Sequence, residues 1–190
     1  MLNRPFAKTK KIIIGLVGEI ACGKGAAVDY LVKKYKAGSY RYSSILRDIL
    51  DRIYEKQTRE NLTNLSDWLR KKFGQDILSK TLARDMEKNK NKLIVFDGIR
   101  RLPELNIFKK IPGFILVRIV GDPKIRYERF IKRNENPGDN KKTYQRFLRD
   151  LKGLSDYEIP KVMKQADFEI NNDGVLKELH KQVDQIILNG

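Results

Sequence analysis

The residues Gly18-Glu19-Ile20-Ala21-Cys22-Gly23-Lys24-Gly25 have the types and spacing needed to hold a polyphosphate. Gly18 and Gly23 bracket four residues, and glycine lets the backbone pass close to an anion without a side chain in the way. The amides of Ala21, Cys22, Gly23, Lys24, Gly25 and Ala26 are then expected to point at phosphate oxygens, helped by the N-terminus of a following helix. Lys24 adds a mobile ammonium for the β- and γ-phosphates. The plain alternative is a glycine turn with an exposed lysine. An apolar run before the loop and a helical pattern after it favour the cradle. The usual pattern continues Lys-Ser/Thr, whose hydroxyl helps hold Mg²⁺. Here Gly25 and Ala26 follow, so that hydroxyl is missing.

Other residues suit the chemistry of a phosphoryl group. Asp97 ends an apolar run and can hold Mg²⁺ through its water shell or orient an acceptor. It could equally be a turn or helix-capping aspartate. Arg100 offers a fork-shaped guanidinium for an anion. Ser43, with Ser44, opens a helical stretch in which Arg47 is expected to turn inward toward an acceptor, unless this is an ordinary solvent-facing helix start. Arg126, Arg129 and Arg133 recur at helical spacing, followed by Lys141, Lys142, Arg146 and Arg149. A lid closing on a transferring phosphoryl fits this run, with Arg129 and Arg133 on the phosphoryl; a solvated basic hairpin is the alternative. His180 reads as surface or packing. Trp68 and Phe73 read as packing within the helical stretch, and Cys22 has no histidine nearby to make it a nucleophile.

These residues need a scaffold that presents them on one rim. Ile12–Val17, Ser39–Tyr42, Leu93–Phe96, Phe114–Val120 and Ala166–Ile170 read as strands. Helices are expected at Lys24–Lys36, closed by Gly38, and at Ser43–Tyr54, capped by Ser43 or Ser44. Further helices are expected around Leu62–Phe73, Ile77–Met86, Glu104–Lys109, Pro123–Arg133, Thr143–Leu151 and Val175–Leu188, with a loop over Asn134–Asn140. Strands alternating with helices imply a parallel α/β sheet with ligands beyond the strand ends. Gly18–Lys24, Asp97–Arg101 and Gly121-Asp122 all follow such ends.

The 190 residues suit one domain, 1–190, with 41% hydrophobic content. Within it a helical insertion is expected over about 43–90 and a lid over about 126–150. No apolar run reaches the length of a membrane span, and the basic start lacks the apolar region of a signal peptide. With a single cysteine the expected compartment is cytoplasmic. The net charge of +16 and pI near 9.9 permit nucleic acid, anionic lipid or anionic small molecules as partners. The basic residues are spread along the chain, not gathered in a tail.

The chain resembles the adenylate-kinase and dephospho-CoA-kinase branch of P-loop kinases, and is most similar to an archaeal-type group of dephospho-CoA-kinase-like ATPases. The resemblance spans about Lys11–Leu188. It rests on Gly18–Gly25, Ser43–Arg47, Glu60-Asn61-Leu62 leading into Leu69–Gly74, Asp97–Arg100, Arg126–Phe130 and Ala166–Gly174. Gly-Lys-Gly occurs in adenylate and cytidylate kinases, where the metal is held largely through water; their threonine is Ala26 here. The group usually has Gly-Asp where Ser43-Ser44 stand. The resemblance implies a three-layer P-loop fold with about five parallel strands, and ATP and Mg²⁺ as ligands. It also implies a base read by Asn171 or a neighbouring backbone group. The implied reaction is phosphoryl transfer to a small anionic acceptor, a nucleoside monophosphate before dephospho-CoA. An ATPase factor acting with RNA or ribosomal particles is the alternative of another class.

Overall fold

A computed structural model describes residues 11–134, 138–151 and 158–189. Three runs dominated by Ile, Leu, Val and Phe make its central strands: β1 (Ile12–Val17), β3 (Leu93–Asp97) and β4 (Phe114–Val120). Such runs suit a parallel sheet covered on both faces. β2 (Gly38–Arg41) and β5 (Phe168–Asn171) are shorter and form the edges. The order is β2-β3-β1-β4-β5, and every pairing is parallel.

The helices are α1 (Lys24–Tyr35), α2 (Tyr42–Arg52), α3 (Arg59–Phe73), α4 (Ile77–Lys88), α5 (Leu102–Phe108), α6 (Pro123–Arg133), α7 (Tyr144–Asp150), α8 (Ile159–Met163) and α9 (Leu176–Asn189). They cover the sheet on two sides because alternate strand residues face opposite ways. Ile14, Leu16, Val95 and Val117 pack against α1 and α9 through Val28, Leu31, Leu179 and Val183. Ile13, Ile94, Phe96 and Leu116 pack against α4, α5 and α8 through Leu82, Met86, Phe108 and Val162. The expected three-layer α/β arrangement with five parallel strands is therefore present.

Several local expectations need correction. α1 closes on Lys36 in the left-handed region at φ 55°, while Gly38 instead begins β2. α2 starts at Tyr42 and not after a capping serine: Arg41 stands at its N-cap without a side-chain cap, and Ser43 and Ser44 lie in the first turn. α3 buries none of its residues. Its Trp68 and Phe73 do meet edge-to-face at 5.7 Å, but both remain exposed. The expected loop before α7 carries a 3₁₀ turn at Asp139–Lys141, and its residues 135–137 lie outside the described residues. Helix α8 carried no sequence signal strong enough to be anticipated. Tyr127, Phe130 and Phe147 join α6 to α7, with ring centroids 5.3–5.6 Å apart.

Candidate functional site

The loop after β1 is curled where the sequence allows it. Gly23 caps α1 at φ 108° and Ala21 sits at φ 59°, both left-handed. Such alternation turns successive amides toward one concavity. A Cβ on Gly18 would run into the Ile119 carbonyl and Cys22 Sγ, and one on Gly23 into Asn172 Nδ2. Lys24 Nζ donates to the carbonyls of Gly18 (2.8 Å) and Glu19 (3.1 Å), folding across the loop.

Two supports of this loop escaped sequence reasoning. Asn172, buried just after β5, donates from Nδ2 to the Cys22 carbonyl at 2.8 Å. Arg126, only 2% exposed, pairs with Glu19 Oε2 at 2.7 Å and donates to the carbonyls of Gly121 (3.0 Å) and Ile20 (3.4 Å). Arg126 is therefore part of the wall behind the cradle and not a surface lid residue. Its place next to Phe130 on the inner face of α6 is the reason. Burial raises the Cys22 thiol above its ordinary value, and the nearby Lys24 only partly opposes this. A neutral buried thiol fits a packing role.

Asp97 lies beside the cradle because β3 is hydrogen-bonded to β1. In the parallel register Asp97 partners Leu16 on one side and Arg41 on the other. Its Oδ1 is buried and has no hydrogen-bond partner among the described residues. Burial pushes the carboxyl up, opposed by Lys24, Arg41 and Arg100 in that order. A buried oxygen without a donor fits a hydrated cation, since Mg²⁺ keeps several waters and uses one or two carboxylates plus phosphates. No cluster of three or more metal-ligating side chains occurs among the described residues. A metal here would therefore lean on Asp97 and the nucleotide. The hydroxyl missing at Gly25 and Ala26 points the same way.

A polar wall stands on the far side of Asp97. Tyr42 packs its ring over Gly98 and shares a 2.9 Å hydrogen bond with the buried Ser79. Glu104, 4% exposed, accepts from the Arg100 amide at 3.1 Å and pairs with Arg70 at 3.2 Å. Burial and the charge of Glu104 both push the Tyr42 phenol upward. This quartet was not singled out from sequence. Glu104 is the one glutamate among the buried polar residues described, and its burial is visible only in the structure.

The remaining expected residues scatter. Arg47 does not turn inward: Leu46 and Leu50 take the buried face of α2, leaving Arg47 exposed and bonded to Gln57 Oε1 at 2.6 Å. Arg129 bonds the carbonyls of Asn172 (2.6 Å) and Gly174 (3.1 Å), bracing the loop after β5. Arg133 is exposed one turn further on. Asn171 is exposed and engaged with Gln182 and Asp173, while its neighbour Asn172 faces the cradle. Ser43 is half-buried in the first turn of α2, and Arg100 is exposed.

Known proteins share both sequence and fold with this chain. No protein-family model matches it. A UPF0200 protein of Staphylothermus marinus is 30% identical over 172 residues, covering 90% of this chain and 89% of that protein. A UPF0200 protein of Methanocaldococcus jannaschii is 29% identical over 179 residues, covering 93% and 89%. Among solved structures, a shikimate kinase from Bacteroides thetaiotaomicron aligns over 93% of this chain and 98% of its own, with TM-score 0.61 and 15% identity. The Acinetobacter baumannii shikimate kinase in complex with shikimate aligns over 94% and 93%, with TM-score 0.57 and 17% identity. At that identity the two kinases establish the P-loop kinase fold alone. The sequence match over nine-tenths of the length goes further, and the chain belongs to the UPF0200 family.

Proposed function

We propose that the protein is an ATP-dependent phosphotransferase acting on a small anionic acceptor, a nucleoside monophosphate in the first instance. The observation that carries this reading is the buried, unpartnered Asp97 Oδ1 one strand away from a curled glycine loop whose lysine bonds only its own loop. ATP lies over β1, its base toward Asn171–Asp173 after β5 and its γ-phosphate toward β3. The amides of Ala21 to Ala26 and the ammonium of Lys24 bind the phosphates. Asp97 would hold Mg²⁺ through its water shell, and the ion would supply charge stabilisation to the transferring phosphoryl group. The acceptor enters from the β2 side, between the helical insertion (43–90) and the lid (126–150). An acceptor oxygen bonds the γ-phosphorus while the bond to the β–γ bridging oxygen breaks, leaving ADP.

The acceptor preference follows from proton bookkeeping. A nucleoside monophosphate attacks through an oxygen that is already ionised, so the site needs no base. A hydroxyl acceptor, such as the ribose of dephospho-CoA, must lose a proton, and Asp97, already given to the metal, would have to serve as base as well. Arg100 grips the acceptor's anionic group and Arg133 closes from the lid, while Arg129 braces the loop after β5 through the Asn172 and Gly174 carbonyls and reaches the phosphoryl only by leaving them.

The test is a screen of nucleoside monophosphates, dephospho-CoA and shikimate for a mass gain of about 80 daltons, one phosphoryl group. ADP release is followed with and without each compound. Acceptor-dependent ADP release supports the reading. Release stimulated only by RNA, and falling steeply with salt, would instead support an ATPase factor, a possibility motivated by the +16 charge.

A further inference from the structure

The sheet order sorts the rim into a nucleotide side and an acceptor side, and one cation on the acceptor side has no role so far. Arg41 is the last residue of β2, the edge strand beyond Asp97. It is the register partner of Asp97, so both side chains leave the sheet on the same face, the face of Leu16 and α1. Neighbouring strands lie about 4.8 Å apart, which puts Arg41 about 10 Å across the rim from the strand that carries the phosphate loop. That is room for a transferring phosphoryl group and a second anion beside it.

Arg100 already has a place on the acceptor's anionic group, and four further arginines near the rim are committed within the protein. Arg126 is held by Glu19, Arg129 by two backbone carbonyls, Arg70 by Glu104 and Arg47 by Gln57. Arg41 is exposed and makes no hydrogen bond or ion pair with the described residues; its charge is felt at Asp97 only through space. It also stands at the N-cap of the eleven-residue helix α2, with no side-chain cap and no acidic residue in the first turn. A cation at the positive end of a helix is an unfavourable pairing unless an anion joins it. Three strand ends thus carry, in order, a phosphate loop, a carboxylate and an unneutralised guanidinium.

We propose that Arg41 completes the acceptor's anion subsite beside Arg100, taking a phosphate monoester between its guanidinium and the first-turn amides of α2. The subsite rests on the phosphotransferase reading and sharpens it: the acceptor already carries a phosphate, and Arg41 holds that phosphate in the role that Arg47 was expected to play. Arg41 presents two parallel donors to the phosphate, geometry that lysine does not match.

The experiment uses inorganic phosphate as probe. The full chain is saturated with ADP and Mg²⁺ and titrated with phosphate, following the Arg41 Nε–H and the Tyr42–Ser44 amides by NMR. Those signals are expected to move with phosphate but not with ADP alone. Arg41→Ala is expected to weaken phosphate binding at least about tenfold while ADP affinity stays within about twofold, and Arg41→Lys to fall between. Equal phosphate affinity in Arg41→Ala, or shifts confined to residues 18–25, overturns the subsite and leaves the phosphotransferase reading standing. Failure of the wild-type chain to bind ADP overturns that reading and the subsite with it. Should Arg41→Ala not fold, Arg41→Lys and the wild-type titration decide the matter.

Discussion

At Asp97 burial opposes the charged carboxylate, while Lys24, Arg41 and Arg100 favour it. Burial raises its carboxyl above the ordinary aspartate value, so the folded chain binds that proton more tightly than the unfolded one. The contribution of Asp97 to stability is therefore greatest below the ordinary value, falls as pH climbs through the raised one, and stays lower above it. Asp97→Asn is expected to remove this slope and raise Tm at neutral pH, by calorimetry, while Mg²⁺-dependent turnover is lost. A variant no more stable than wild type at neutral pH would show that Lys24, Arg41 and Arg100 already compensate the charge. Lys24→Ala should lose turnover by at least about a hundredfold with Tm nearly unchanged, because Nζ contacts only the Gly18 and Glu19 carbonyls and Cys22 Sγ. Asn172→Ala differs from both. It strips the donor from a buried carbonyl, and should cost about 1–3 kcal/mol in denaturant unfolding and weaken ATP binding as the loop relaxes. Of these three residues, Lys24 and Asp97 were legible from their place after apolar runs. Asn172 was hidden because its partner, the Cys22 carbonyl, lies 150 residues away.

At the scale of elements, α3 is the loosest part of the helical insertion. Its apolar residues recur at helical spacing, which made it readable, yet none is buried. What ties it down is Arg70 to Glu104 and the Thr58 cap, whose hydroxyl accepts from the Asn61 amide at 3.1 Å. Thr58→Ala should loosen α3 by about 1 kcal/mol. Faster hydrogen exchange is expected over residues 59–73 while the sheet stays protected; a uniform loss of protection would mean that α3 unfolds only with the whole chain. By contrast α6 and α7 share a buried aromatic contact through Phe130 and Phe147, and Arg126 fastens α6 to Glu19. A lid closing on the phosphoryl, with a solvated basic hairpin as the alternative, was the expectation from the run of arginines. Periodicity put Arg126, Arg129 and Arg133 on related faces but could not say which of them meets the protein, and the inward turn of Phe130 took Arg126 with it.

For the whole molecule, the order β2-β3-β1-β4-β5 gives the rim a direction. On the proposed reading the base lies toward β5, the phosphates over β1 and the acceptor toward β2, so the roles proposed for distant residues follow from strand neighbourhood. The net charge of +16 acts at the same scale. Like charges spread over one compact surface repel, and salt screens that repulsion over a Debye length of about 8 Å at physiological strength. Thermal scans are accordingly expected to show Tm rising by a few degrees between low and moderate NaCl. A flat response would mean that local pairs such as Arg118–Glu169 and Lys34–Asp184 already balance the surface.

By itself the sequence determined what depends on neighbours along the chain. Apolar β-branched runs made strands buried on both faces, glycine spacing made the curled loop after β1, and helical periodicity placed most of the helices. Tertiary structure alone decided which polar residue faces inward: Asn172 and not Asn171, Arg126 inside the wall, Arg47 in solvent, and Arg41 beside Asp97. The reason is that a side chain's direction at a strand end or on a helix is fixed by sheet register and helix rotation. Those are set by packing between segments tens of residues apart, and no local pattern encodes them.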